Sequence, residues 1–291
     1  MDCDCVIQGR RIGAAEVADI RRIMAENPAF SRYKLSRALC DLWNWRDPKG
    51  QIKDMAARAL LGKLNERGWI CLPAKRRASP NRMRHRKIAL VEHTSNPISG
   101  PLAELMPLEI RVLSQRSEDL ALFESFLHQH HYLSYTSAVG LNLKYLVLDR
   151  RGRPLSCLLF GSAAWKCAAR DSFLGWSATE RETHLEQITN NTRFIVLPWV
   201  RVAHLASHVL SQILKRLAHD WWIKYARSLE LVETFVDASR FQGSCYRAAN
   251  WLYLGQTTGR TRQDRCYTIN VPPKLVFVYP LSKSFRRDLR A

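Results

Sequence analysis

Thr192-Arg193-Phe194-Ile195-Val196-Leu197-Pro198-Trp199-Val200 runs into Arg201-Val202-Ala203-His204-Leu205-Ala206 and on through Tyr225. The first nine residues read as a strand, with its aliphatic centre at 195–197, and residues 205–225 as a long amphipathic helix. A strand that feeds a helix is one unit of an α/β layer. Working outward, residues 109–113 alternate like a strand, and 118–130 are helical with Leu122, Phe123, Phe126 and Leu127 facing in. A hairpin is expected at 141–149 and 155–161, turning at 150–153. Residues 178–187 read as a polar helix, 229–236 as a strand, 244–250 as a short helix and 251–255 as another strand. The order β-α-β-β-α-β-α-β-α-β implies a mixed sheet with helices on its faces.

Toward the N-terminus the period becomes purely helical. Residues 14–26 present Val17, Ile20, Ile23 and Met24 on one side, and Ser31 caps a second helix with Leu35, Ala38, Leu39 and Leu42 inside. Residues 44–50 form a turn. A third helix over 52–67, with Ile52, Met55, Ala56, Ala59 and Leu60 inward, stops at Gly68, and 69–73 follow as an apolar strand. Three helices and a strand are the order of a winged helix-turn-helix. The fold class is therefore α+β: a winged-helix head (1–94), a linker with three prolines (95–107) and a mixed α/β sheet domain (108–291).

The 291 residues carry a net charge of +19, with 45 Lys and Arg against 26 Asp and Glu. Excess charge speaks to partners more than to fold, and a polyanion is the natural one, through phosphate contacts and counterion release. Residues 1–100 hold 20 basic and 10 acidic residues, so +9 remains on the rest. Residues 75–87 contain seven Lys or Arg and no acid. Directly after a helix-turn-helix pattern, such a run reads as a DNA wing or arm. DNA contacts are thus expected at Lys53, Arg58, Arg76, Arg77, Arg82 and Arg84, and at Arg260 and Arg262 in the loop 257–262. An anionic membrane surface is the rival partner. However, no apolar run nears the roughly 20 residues of a spanning helix, so no membrane partner is expected. With no signal-peptide pattern and only eight cysteines, a cytoplasmic protein with reduced thiols is expected. Cys3-Asp4-Cys5 lacks a second pair, so no metal site follows from cysteines.

Two motifs resemble the GNAT acetyltransferase superfamily. There a central strand ends in Gln/Arg-x-x-Gly-x-Gly/Ala, and the N–H groups of the following helix hold the pyrophosphate of acyl-coenzyme A. Arg201 and Ala206 match, while His204 stands at the first glycine, so Arg201, His204 and Ser207 form an anion site without glycine's close approach. Tyr246-Arg247-Ala248-Ala249-Asn250-Trp251 is similar to the family's Tyr-x-x-x-Gly-Phe, which implies Tyr246 as general acid toward a departing thiolate. The alternative is an aromatic that packs and finds an acceptor for its hydroxyl.

A longer set of motifs narrows the resemblance. His131-Tyr132-Leu133, Asn190-Asn191-Thr192-Arg193-Phe194, Leu205-Ala206-Ser207-His208, Glu233-Thr234-Phe235-Val236-Asp237 and Gly243-Ser244-Cys245-Tyr246-Arg247-Ala248-Ala249-Asn250-Trp251 resemble, in that order, the DruA family of the Druantia anti-phage defence system and its transposase-associated relatives. The resemblance implies defence or mobile-DNA biology, with other defence or transposon proteins as possible partners, and no reaction. Glu233 and Asp237 lie on one face of a strand, a pair that can bind Mg²⁺ for phosphodiester cleavage, act as acid and base, or simply pair with arginines. His131, beside His128 and His130, offers a base. Three functions follow: a DNA-binding factor with a non-catalytic second domain, an acyltransferase modifying nucleobases, and a metal-dependent nuclease. No cofactor is expected for the first; acyl-coenzyme A or Mg²⁺ belongs to the others.

Overall fold

The computed structural model describes residues 5–47, 50–74, 86–259 and 272–290. Two compact units divide the chain, residues 1–81 and 82–291.

The first unit opens with β1 (Cys5–Ile7) and β2 (Arg10–Ile12), an antiparallel hairpin. Its two-residue turn places Gln8 and Gly9 at φ 52° and 79°, the positive-φ pair that matches strand twist. Three helices follow: α1 (Ala14–Glu26), α2 (Arg32–Leu42) and α3 (Asp54–Glu66). The Ser31 side chain caps α2 by accepting from the Lys34 N–H. The buried face of α3 is Ala57, Leu60, Leu61 and Leu64, a clean i, i+3, i+4, i+7 ladder. That face is rotated from the sequence expectation, and Met55 is 69% exposed. The strand expected at 69–73 is irregular backbone. Arg21 reaches the Trp69 carbonyl and Arg32 the Pro73 carbonyl, so guanidinium groups satisfy acceptors that a ladder would have used. Ile70 still buries in the unit's core. Among the described residues no wing strand follows α3.

The second unit is built on a seven-stranded mixed sheet. Its elements are β3 (Ile98–Ser99), a 3₁₀ turn (Leu102–Leu105), β4 (Glu109–Leu113), α4 (Leu120–His130), β5 (Leu143–Leu148), β6 (Pro154–Ser162), α5 (Ala168–Leu174), α6 (Ala178–His184), β7 (Ile188–Val196), β8 (Val200–Arg201), α7 (Leu205–Tyr225), β9 (Leu231–Asp237), α8 (Ser244–Ala248), β10 (Leu252–Gln256), β11 (Lys274–Pro280) and α9 (Phe285–Asp288). The large sheet has the order β10-β11-β9-β7-β6-β5-β4, and β3 pairs separately with β8. Every pairing in the large sheet is antiparallel except β7 with β9. The mixed sheet that the element order implies is therefore present, with β7 and β9 as its parallel neighbours. The stretch 95–107, expected as a linker, contributes buried Ile98 and Leu105 to the core. Residues 168–174 and 274–280 add a helix and a strand that the element order had lacked. No helix among the described residues is long and apolar enough to cross a membrane.

Candidate functional site

The seam between β7 and β9 determines the site. Their parallel register covers only Ile188–Asn190 against Leu231–Glu233. One residue further on, β7 slips against β6, where Leu159 faces Arg193 but Phe160 faces Asn191. The extra residue, Thr192, is a bulge, and bulges bend a strand and add twist. Beyond it β7 and β9 diverge. The cleft between them, about 380 Å³, is lined by His130, His131, Asn191, Thr234, Ser244 and Tyr246, with aliphatic and aromatic walls from Ile195, Val196 and Phe241.

Asn191 clamps the apex. Its Oδ1 accepts the Tyr246 hydroxyl at 2.7 Å, and its carbonyl accepts the Thr234 hydroxyl at 3.0 Å. The Asn191 amide donates to the carbonyls of Leu159 and Arg193. Sequence reasoning had not singled out Asn191; its only signal was a place in the family motif. Tyr246 is packed edge-on to Trp251 and stacked on Phe277, and burial raises its hydroxyl pKa. The Tyr246 hydroxyl is thus a protonated donor already committed to Asn191. Burial, helped by Arg193, lowers the His131 pKa to about 4. Its Nδ1 accepts the Leu133 N–H at 3.1 Å, so the remaining proton sits on Nε2. His130 is also held neutral, by burial and by His93. Its Nε2 is buried without a partner. Burial pushes the Cys245 thiol up to about 11, out of the range of a reactive thiolate. Among the described residues, none that lines the cleft is charged at neutral pH.

The helix start beside the cleft keeps the geometry that the glycine motif implies. His204 is the N-cap of α7 at φ 63°, its side chain exposed and making no capping bond. The first intrahelical bond runs from the His208 N–H to the His204 carbonyl. The Ala206 and Ser207 N–H groups before it have no acceptor within the helix, and Ala206 lines the cleft. Arg201 is exposed, and the Ser207 hydroxyl turns back to the His204 carbonyl. At the other end, Asn250 sits at φ 62°, filling the glycine position of the second motif.

The carboxylate pair behaves differently. Glu233 is fully buried, accepting from the Ala164 N–H at 2.5 Å and from Arg170 at 2.8 Å. Arg170 is buried too and also holds Asp171. Burial pushes the Glu233 carboxyl up against the pull of Arg170. Asp237 instead accepts from the Ser239 N–H and hydroxyl, which lower its pKa. Both Glu233 oxygens are thus taken by protein donors. Among the described residues no three His, Cys, Asp or Glu side chains converge as a metal site, and the pair does not fit Mg²⁺. Lys53, the N-cap of α3, and Arg58 on the helix are exposed, with Arg58 paired to Asp54 at 2.8 Å and lying over the Tyr33 ring. Arg76, Arg77, Arg82, Arg84, Arg260 and Arg262, like Cys3, lie outside the described residues.

The model of a family described as Druantia protein DruA matches residues 63–272, which include Asn191, Tyr246 and the whole cleft. The chain belongs to the DruA family. No curated protein matches it. Among solved structures, this DruA-family chain is similar to the spermidine/spermine N-acetyltransferase SpeG from Vibrio cholerae in complex with manganese ions, at 11% identity. That similarity covers 62% of this chain and 96% of the other, with a TM-score of 0.40. The Vibrio cholerae spermidine N-acetyltransferase in complex with CoA and spermine gives 11% identity, 60% and 96% coverage, and a TM-score of 0.40. Similarity this remote adds nothing to the strand order, and the DruA match is what assigns the chain.

Proposed function

We propose that this DruA-family chain works on DNA, and that its second unit takes an acyl carrier of the coenzyme A type into the β7–β9 cleft. The observation that carries the reading is a cleft lined, among the described residues, by no charged side chain in a chain of net charge +19. A slender, neutral, hydrogen-bonding arm suits it. Where β7 and β9 diverge, their facing edges offer backbone N–H and C=O groups that an amide-bearing ligand can pair with. At the helix start, the Ala206 and Ser207 N–H groups and nearby Arg201 would receive the anionic end. A bound thioester would supply an activated acyl group; His131 and Tyr246 would line its reacting end. DNA as the partner rests on the excess positive charge and on exposed Lys53 and Arg58, at the start and in the first turns of α3.

One observation favours a second reading, in which the carrier binds without transfer. The Tyr246 hydroxyl, the general acid that the motif implies, is engaged by Asn191. Isothermal titration with acetyl-coenzyme A, followed by label transfer from radioactive acetyl-coenzyme A to duplex and single-stranded DNA, separates the two. Native binding should be weak, because a side chain at residue 204 crowds the helix start. His204→Gly should tighten it about tenfold, the worth of one good charge-assisted hydrogen bond. Binding without transfer selects the second reading. No binding by either protein overturns both.

A further inference from the structure

Side chains alternate across β9, so Thr234 and Val236 face the cleft while Glu233 and Phe235 face the other side of the sheet. On that other side lies a second hollow of about 320 Å³. Lys166 and Cys167 before α5 line it, with Phe235, Thr257, Thr258 and Lys274 from the ends of β9, β10 and β11. We propose that this hollow holds one phosphorylated nucleotide unit of a single-stranded nucleic acid, a site separate from the cleft and independent of the acyl-carrier reading.

Charge allocation is the first argument. Among the described residues the buried acids of this unit are each taken by an arginine: Glu124 by Arg86, Asp149 by Arg153, Asp220 by Arg216 and Glu233 by Arg170. Among the described residues no carboxylate lines the hollow. Asp237, opposite Lys274 in the β9–β11 register, feels the Lys274 charge without an ion pair to it; it is held by Ser239 and lies 3.9 Å from Arg240. Lys166 and Lys274 make no ion pair among the described residues, and neither does any other lining group. The backbone of Lys274 is fixed, since its N–H donates to the Thr257 hydroxyl and its carbonyl accepts the Thr257 N–H, both at 2.9 Å. Two ammonium groups are therefore available to the hollow, that of Lys274 from a fixed backbone, together with the Thr258 hydroxyl. That donor set suits a phosphate.

An aromatic platform is the second. Trp165, next to Lys166, is 45% exposed and has no ring partner among the described residues. Exposed aromatic rings beside lysines are how single strands are held, the base stacking while the ammonium group meets the backbone. A hollow of this size admits one unit turned out of a stack, which an intact duplex does not present.

Fluorescence anisotropy with the full-length chain tests this, using a labelled oligothymidine strand and the same strand annealed into a duplex. Lys166→Gln/Lys274→Gln and Trp165→Leu should each weaken single-strand binding about tenfold while leaving the duplex unchanged, as expected for a lost stacking or backbone contact. Lys53→Gln/Arg58→Gln should do the reverse, which separates this site from the head. Thymidine 5′-monophosphate should compete and thymidine should not; competition by the nucleotide alone, without preference for the strand, would mark a free-nucleotide site of the same chemistry. Unchanged single-strand binding by the lysine double variant, equal loss on both nucleic acids, or equal competition by thymidine overturns the proposal.

Discussion

His131 has an ordinary side chain under unusual constraints: its ring stacks on Tyr132 and its Nδ1 accepts a backbone N–H. With a folded pKa of about 4 against the ordinary histidine value of 6.5, the unfolded chain takes up a proton between pH 6.5 and 4 that the folded chain refuses. This contribution to stability is fully present above pH 6.5 and is lost as the pH falls, at up to about 1.4 kcal/mol per pH unit. Urea unfolding at pH 7 and pH 5 should show that decline, and His131→Gln should flatten it; an equal slope in the variant removes His131 as the cause. The Arg170–Glu233 pair obeys another rule. Removing one partner strands a buried charge, so Arg170→Met should cost about 3–5 kcal/mol, while Arg170→Met/Glu233→Met should regain most of it. A double variant no better than the single would mean the two groups are not coupled. The sequence showed Glu233 among apolar neighbours and left arginine pairing open. The partner itself, 63 residues away, is a tertiary fact that no spacing reveals. Tyr246 and His131 were legible through their motifs. The clamp role of Asn191 was not, because it depends on a bulge at Thr192.

Among the elements, α8 depends on its ends. Gly243 caps it at φ 70°, and a Cβ there would meet the Phe277 ring at 2.6 Å. Phe277 is fully buried and cannot yield, so Gly243→Ala should destabilise the chain by about 3 kcal/mol, through strain and overpacking together. Asn250 closes the helix in the left-handed region, with the Trp251 N–H bonded to the Tyr246 carbonyl. Asn250→Gly should be neutral or stabilising, and Asn250→Ala should lose about 1 kcal/mol in thermal unfolding. Equal melting of the two variants would contradict a conformational origin. Helix α7 was read to the residue, because 21 residues of helical period leave little choice. The β5–β6 hairpin was equally plain from its polar turn. The strand β11 was missed although Leu275-Val276-Phe277-Val278 is strongly apolar. It inserts between β9 and β10, and a strand buried on both faces shows no alternation to mark it. The opposite error occurred at 69–73, where an apolar run looked like a strand but its carbonyls went to Arg21 and Arg32.

At the scale of the molecule, charge makes the broadest prediction. The logarithm of the duplex affinity should fall linearly with log salt, and replacing Arg76, Arg77, Arg82 and Arg84 by Gln should lower that slope by about 3–4, near 0.9 per phosphate contact. A slope unchanged by the four substitutions would take the basic run out of the DNA contact. The large sheet has a consequence of a different kind. It consists of two antiparallel blocks, β4 to β7 and β9 with β11 and β10, joined by three residue pairs and one covalent connection after α7. A backbone cut at residue 227 breaks that connection and none of the antiparallel pairing. Pieces 1–227 and 228–291, expressed apart, should reassemble without a peptide link. Folding then becomes an association, and the melting temperature of the nicked protein, unlike that of the intact chain, should climb with its concentration.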